Sequence, residues 1–208
     1  AMTILPLSYL PSVAWCARLL RGDCTVDLGE HFVKRSERTR ARILASDGPM
    51  ELSVPVCGAG RPRTPLRDVR IDYSKRWQHR HWQALVSAYR SSPYFEHYAA
   101  RFEPFYRREY RFLADYDLGL LDVLLDALGL PRPAFAERYV EAAPGDLDLR
   151  ARHCEGRRVQ TEGPDDFSPE PYVQVFADRM PFAANLSVAD LLFAEGPTAS
   201  EVLRRSLR

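Results

Sequence analysis

Arg38, Arg40 and Arg42 take alternate positions along Glu37-Arg38-Thr39-Arg40-Ala41-Arg42-Ile43, with apolar Ala41 and Ile43 on the other set. An Asp47-Gly48 turn follows, then a second apolar run, Leu52-Ser53-Val54-Pro55-Val56. This pattern predicts a β-hairpin. Upstream, Ile4 to Leu7 reads as a short strand, Ser8 to Ser12 as a turn, and the chain to about Leu20 as a helix with Trp15 and Leu19 on one face. Thr25 to Leu28 reads as a second strand, so the order is that of a parallel α/β unit. Val69 to Tyr73 alternates again and is expected to be a strand with Arg70 and Asp72 on its polar face.

Helical periods dominate the middle of the chain. Lys75 to Arg90 places Trp82, Leu85, Val86 and Tyr89 on one side, and Ser92-Pro93 opens a new helix with proline at its first position. Phe95, Tyr98, Phe102, Phe105 and Phe112 form an aromatic stripe, expected to be plain core, and Leu118 to Leu130 is a third helix ended by Gly129 and Pro131-Arg132-Pro133. Beyond this, Arg138 to Ala142 and Val159 to Thr161 are weak strand candidates around a polar loop running from Ala143 to Pro171. Tyr172 to Phe176 is a better strand. Ser187 with Asp190, and Thr198 with Glu201, have the spacing of helix-opening capping boxes. The expected fold is α/β: a central mixed sheet with a β-hairpin, a helical middle section over 75–130 and C-terminal helices, in one domain spanning 2–208.

Composition adds a class. The 208 residues are 46% hydrophobic and 27% charged, enough for a buried core, and no apolar run is long enough to span a membrane. No secretory leader is evident, so a cytoplasmic protein is expected. Cys16, Cys24, Cys57 and Cys154 lack paired spacing and read as reduced thiols, and no metal set or cofactor is assigned. The net charge is only +1, but its distribution is uneven. Lys34 to Arg80 holds twelve Lys and Arg against five Asp and Glu, whereas Phe112 to Arg208 holds ten against seventeen. The near-neutral total argues against nucleic acid as the partner.

Candidate chemistry centres on the arginines. Three guanidinium groups on alternate strand positions stand about 7 Å apart, and like charges so placed repel unless carboxylates or a bound anion offset them. The arginine fork suits phosphate and carboxylate. Just upstream, Glu30-His31-Phe32-Val33-Lys34 follows a strand end, where α/β proteins place ligands. His31 is a candidate general base, oriented by Glu30 or Asp27, with Lys34 facing substrate charge; the alternative is a solvated loop. His81 borders the apolar face of its helix, so it is either a hydrogen-bonded core histidine or a pocket base. His79 and His81, two apart on a helix, face different ways and do not share a metal. Phosphate loops, dinucleotide turns and Gly-x-Ser-x-Gly elbows are missing, which disfavours the common nucleotide hydrolases, dehydrogenases and lipases.

The chain also resembles the WbqC-like family of bacterial proteins, in particular its Bacteroidetes branch. The resemblance rests on Tyr9-Leu10-Pro11-Ser12; Glu30-His31 with Lys34, Ser36, Arg38, Arg40 and Ile43; Asp68 to Asp72; His81-Trp82; Ser92 to Glu96; and Asn185-Leu186-Ser187 with Asp190 to Phe193. Where the family carries Arg-Asn-Arg, this chain has Arg38-Thr39-Arg40. Membership implies a place in surface-polysaccharide or O-antigen assembly, as a transferase of an amino, aminoacyl or acyl group. The expected substrate is a small phosphorylated or nucleotide-linked sugar. His31, His81 and Glu30 are then the catalytic candidates, and Lys34, Arg38, Arg40, Arg42 and Tyr9 bind substrate. The alternative is a non-catalytic protein whose basic face binds an anion or partner.

Overall fold

The computed structural model describes residues 1–58, 61, 63–151 and 166–208. Strand β1 (Thr3–Pro6) is buried along its whole length, as a central parallel strand must be. Helix α1 (Val13–Arg18) follows, opened by Ser12, whose hydroxyl accepts from the Trp15 amide at 3.2 Å. The Trp15 indole donates back to the Pro6 carbonyl at 2.9 Å, tying the helix to the strand it leaves. A 3-10 turn then leads through Gly22, at φ 76°, into strand β2 (Cys24–Asp27), parallel to β1.

The sheet is completed from far along the chain. Strand β5 (Ala134–Ala136) pairs with β2, and β6 (Leu147–Asp148) pairs with β1, both in parallel, giving the order β5-β2-β1-β6. The predicted hairpin forms a separate antiparallel pair, β3 (Arg40–Ala45) and β4 (Gly48–Ser53), joined by Ser46-Asp47 with Gly48 at φ 130°. The expected combination of sheet, hairpin, middle helices and C-terminal helices is therefore present, with parallel and antiparallel pairing divided between two sheets.

Helices α2 (Trp77–Tyr89), α3 (Phe95–Phe102) and α4 (Leu113–Leu128) form the middle section, and Gly129 closes α4 at φ 64°. Helix α5 (Val188–Glu195) lays Phe193 against Tyr89, Phe95 and Phe102 at ring separations of 5.2, 5.1 and 5.7 Å. Helix α6 (Ala199–Arg205) follows it. The aromatic stripe is core for most of its length: Phe95, Tyr98 and Phe102 are buried, with Phe105 packed at the margin, whereas Phe112 is only half-buried and lies outside the cluster.

Four local expectations change. Tyr172 to Phe176 is not a strand; the Gln174 amide bonds both the Ala183 carbonyl and the Ala183 amide, at 2.8 and 2.9 Å, doing with a side chain what a neighbouring strand does with backbone. Val69 to Tyr73 reaches only isolated bridges, Val56 with Ile71 and Arg70 with Phe112. The segment Arg138 to Ala142 is not a strand, β5 having ended at Ala136. Of the two capping boxes, Ser187 does cap α5, accepting from the Ala189 amide at 3.2 Å, whereas the Thr198 hydroxyl turns back to the Glu195 carbonyl at 2.9 Å. The candidate strand Val159–Thr161, His153 and Cys154 lie outside the described residues.

Candidate functional site

Strands β2 and β5 run parallel and end level at Asp27 and Ala136, while β6 stops earlier in the register, Asp148 pairing with Ile4 of β1, which faces Thr25, so that the chain just past Asp148 emerges beside those ends. Ligands of open α/β sheets bind outside such carboxyl ends, because the loops leaving them are free to vary over a fixed frame. Here the segment after β2 is tied down. Leu28 donates to the Ala136 carbonyl, Leu66 to Glu30 and Phe32 to Thr64, at 2.8 to 3.0 Å. A Cβ added to Gly29 would stand 2.1 Å from the Tyr139 amide nitrogen, so only glycine allows this approach.

The arginine row does not form. Ser36 turns the chain, its carbonyl accepting from the amides of Thr39 and Arg40, and the strand begins only at Arg40. Arg38 therefore points away from the other two. Its guanidinium is 1% exposed and holds Glu30 Oε1 through Nε at 2.7 Å and Nη2 at 2.6 Å, while Nη2 also donates to the Arg150 carbonyl at 3.2 Å. Arg150 is anchored in turn. Its Nη1 bonds Asp27 Oδ2 at 2.6 Å and the Val140 carbonyl at 2.8 Å, and Nε and Nη2 grip the two Asp148 oxygens at 2.9 and 2.7 Å. Three carboxylates thus surround two guanidinium groups. Bidentate pairing of this kind makes a buried charge tolerable.

Glu30 stands apart within the network. It is 4% exposed, and its second oxygen, Oε2, is shielded from water and has no hydrogen-bond partner among the described residues. Burial raises its pKa to about 7 against the opposing pull of Arg38. It lines a cavity of about 700 Å³ together with His31, Arg38, Tyr139, Asp148 and Arg150, a size suited to a small-molecule substrate. A buried carboxyl that titrates near neutrality beside such a cavity can take or give a proton under working conditions. Among the described residues no three His, Cys, Asp or Glu side chains gather as a metal-ligand set.

The other predicted site residues separate into distinct places. His31 is exposed at the cavity, and Lys34 is exposed on the same loop. Arg40 and Arg42 line a smaller crevice of about 60 Å³ with Ser8, Ser36, Glu37 and Asn185, and Arg40 meets Glu51 at 3.4 Å. Tyr9 and His81 lie in the core. The His81 Nε2 faces the Ser53 carbonyl at 3.2 Å and must carry the proton, so Nδ1 accepts from the Tyr9 hydroxyl at 2.9 Å, which accepts from Tyr106 at 2.9 Å. Burial lowers the His81 pKa to about 4, which leaves it neutral and a weak base.

Sequence reading missed Asp148, Arg150 and Tyr139, and gave Asp27 only an orienting part. The alternation Leu147-Asp148-Leu149-Arg150 was the available signal, but a two-residue strand is too short to stand out from the loop around it.

The model of the WbqC-like protein family matches residues 8–161, which contain the whole network. Uncharacterized protein Rv1507c of Mycobacterium tuberculosis is 28% identical over 195 residues, covering 83% of this chain and 84% of its own. No solved structure matches.

Proposed function

We infer that this chain, which belongs to the WbqC-like protein family, transfers a small amino, aminoacyl or acyl group to or from a phosphorylated or nucleotide-linked sugar, with Glu30 moving the proton. The setting implied by the family resemblance is bacterial surface-glycan assembly. The carrying observation is Glu30: one oxygen clamped by Arg38, the other buried and unbonded, in a carboxyl lining a cavity at the strand ends.

In this reading Glu30 Oε2 takes the proton of an acceptor hydroxyl or amine while that atom bonds the electrophilic carbon of the transferred group. The leaving group departs with the electrons of the bond it breaks. The phosphate of the sugar substrate, which is not broken off, is met by His31 and Lys34 on the exposed part of the loop, and Arg38 fixes the direction of the Glu30 carboxyl. Arg40 and Arg42, in their own crevice, offer a second anion contact. Tyr9 and His81, a neutral network in the core, do not line this cavity and take no part in the step.

Glu30→Gln keeps shape and the contact of one oxygen with Arg38 but removes proton uptake. With a panel of nucleotide-sugars as donors, it is expected to lower kcat by 10²-fold or more with donor binding unchanged, and the wild-type rate should rise with pH to a plateau above about 7. A Glu30→Gln protein that turns over normally would sink the assignment.

A second reading has its own support. Arg70, Arg108 and Arg111 are exposed and, among the described residues, form no ion pair; Arg70 and Arg111 flank the Phe112 ring at 6.0 and 5.3 Å beside a groove of about 340 Å³. Such a face suits a non-catalytic polyanion binder. Steep loss of affinity with salt, abolished by Arg111→Ala and untouched by Glu30→Gln, would favour it.

A further inference from the structure

Tyr139 is the most exposed large aromatic residue of the described surface, at 54%, yet it is held firmly. Its backbone is pressed against Gly29, and the Arg150 guanidinium lies over its ring at 4.5 Å. Arg150 itself cannot swing away, being bonded to Asp27, Asp148 and the Val140 carbonyl. An aromatic ring fixed in orientation and left open toward water is not explained by packing, since a free surface tyrosine gains nothing from such a mount. The ring lines the same cavity as Glu30.

We propose that Tyr139 is the platform on which the base of a nucleotide stacks, so that the cavity takes its substrate as a nucleoside diphosphate derivative. A cation over one face draws π-electron density toward it, which weakens the ring's attraction for C–H donors such as a sugar face and favours an electron-rich planar ring in offset stacking. Asp148, a third exposed on the cavity wall, is held by Arg150 with lone pairs left to accept from ribose hydroxyls. A base seated on Tyr139 leaves the diphosphate and its attached group to extend through a cavity shared with Glu30 and His31. The inference rests on the preceding reading only in taking this cavity as the substrate site.

The test is calorimetric titration of the whole chain with UDP, GDP, ADP, CDP and dTDP, and with pyrophosphate and glucose 1-phosphate as probes that lack a base. At least one nucleoside diphosphate should bind more tightly than pyrophosphate. Tyr139→Ala should weaken that nucleotide about 10-fold, with Tyr139→Trp restoring it and neither change altering pyrophosphate or glucose 1-phosphate binding. The proposal is overturned if no nucleoside diphosphate exceeds pyrophosphate, if Tyr139→Ala leaves nucleotide affinity unchanged, or if it weakens pyrophosphate equally. Thermal melting of the Ala variant, expected to match wild type at so exposed a position, separates lost stacking from lost fold. Glu30→Gln distinguishes the two readings: nucleotide binding that survives it without any Glu30-dependent turnover supports the platform and removes the transferase.

Discussion

The charged network at the strand ends and the neutral network around Tyr9 both hold polar groups out of water, and they solve burial in opposite ways. At the strand ends, carboxylates surround the guanidinium groups of Arg38 and Arg150, and one carboxyl oxygen, Glu30 Oε2, is left over. Around Tyr9, burial lowers the His81 pKa and raises those of Tyr9 and Tyr106, so each group is neutral and bonds as a dipole. Asp117 is the extreme case in that region. It is 0% exposed, neither oxygen has a hydrogen-bond partner among the described residues, and desolvation raises its pKa well above the usual carboxylate range. The lesson is that burial alone does not make a site. A group useful in chemistry is one whose charge can still change near neutral pH and which faces open volume; Glu30 meets both conditions, whereas Asp117 is sealed in the core and His81, though it borders a pocket of about 280 Å³, is kept neutral by its lowered pKa.

The largest expected break in this contrast is Arg38→Met. It leaves Glu30 buried beside Asp27 with its main cation gone, a change that typically costs about 3–5 kcal/mol. Urea denaturation at pH 8 should show that loss, shrinking at pH 5 where Glu30 is protonated. A loss below about 1 kcal/mol would mean that the pair holds nothing in place.

Next is the pH dependence of stability. Glu30 has a folded pKa of about 7 against an ordinary 4.5, so the folded chain keeps a proton that the unfolded chain has lost between those values. Its contribution is therefore fully present below about pH 4.5 and is lost as pH rises to 7, by about 3 kcal/mol at 1.36 kcal/mol per unit. Glu30→Gln should flatten that part of the curve, and an unchanged slope would put the burial of Glu30 in question.

These partners also show what could be read from sequence. Local pattern carried the α/β unit, since β1, α1 and β2 lie within a residue or two of the apolar runs that predicted them, and Ser12 and Gly129 punctuate helices as their types suggest. Glu30, His31 and Arg38 were found because they crowd one loop. Their arrangement was not legible: the turn at Ser36 splits a row that strand periodicity predicted as continuous. Arg150 bonds Asp27 from 123 residues away and takes Arg38's hydrogen bond from 112. No periodicity records pairs at that range; only the closing of the sheet by the short β5 and β6 brings them together.

On the neutral side, Asp117→Leu should stabilise the protein. It replaces an unbonded buried carboxyl by an apolar group of similar size, a gain of about 1–3 kcal/mol. The sign with pH follows from the raised pKa: the wild-type chain loses stability as pH climbs above the ordinary carboxylate range, and the variant does not, so the difference should widen from pH 4 to 8. Destabilisation at pH 8 would instead assign Asp117 a partner within the fold.

The smallest effect should come from Tyr9→Phe, which removes the hydroxyl between His81 and Tyr106 while keeping the ring against Tyr116 at 5.8 Å. Two neutral hydrogen bonds are lost, yet Tyr106 can rotate its hydroxyl and His81 keeps Nε2 on Ser53, so the net cost is about 1 kcal/mol. Nucleotide affinity and the pH profile of turnover should not move, because neither Tyr9 nor His81 lines the Glu30 cavity. A shifted pH profile in Tyr9→Phe would join the two networks after all and return His81 to the list of groups that handle the proton.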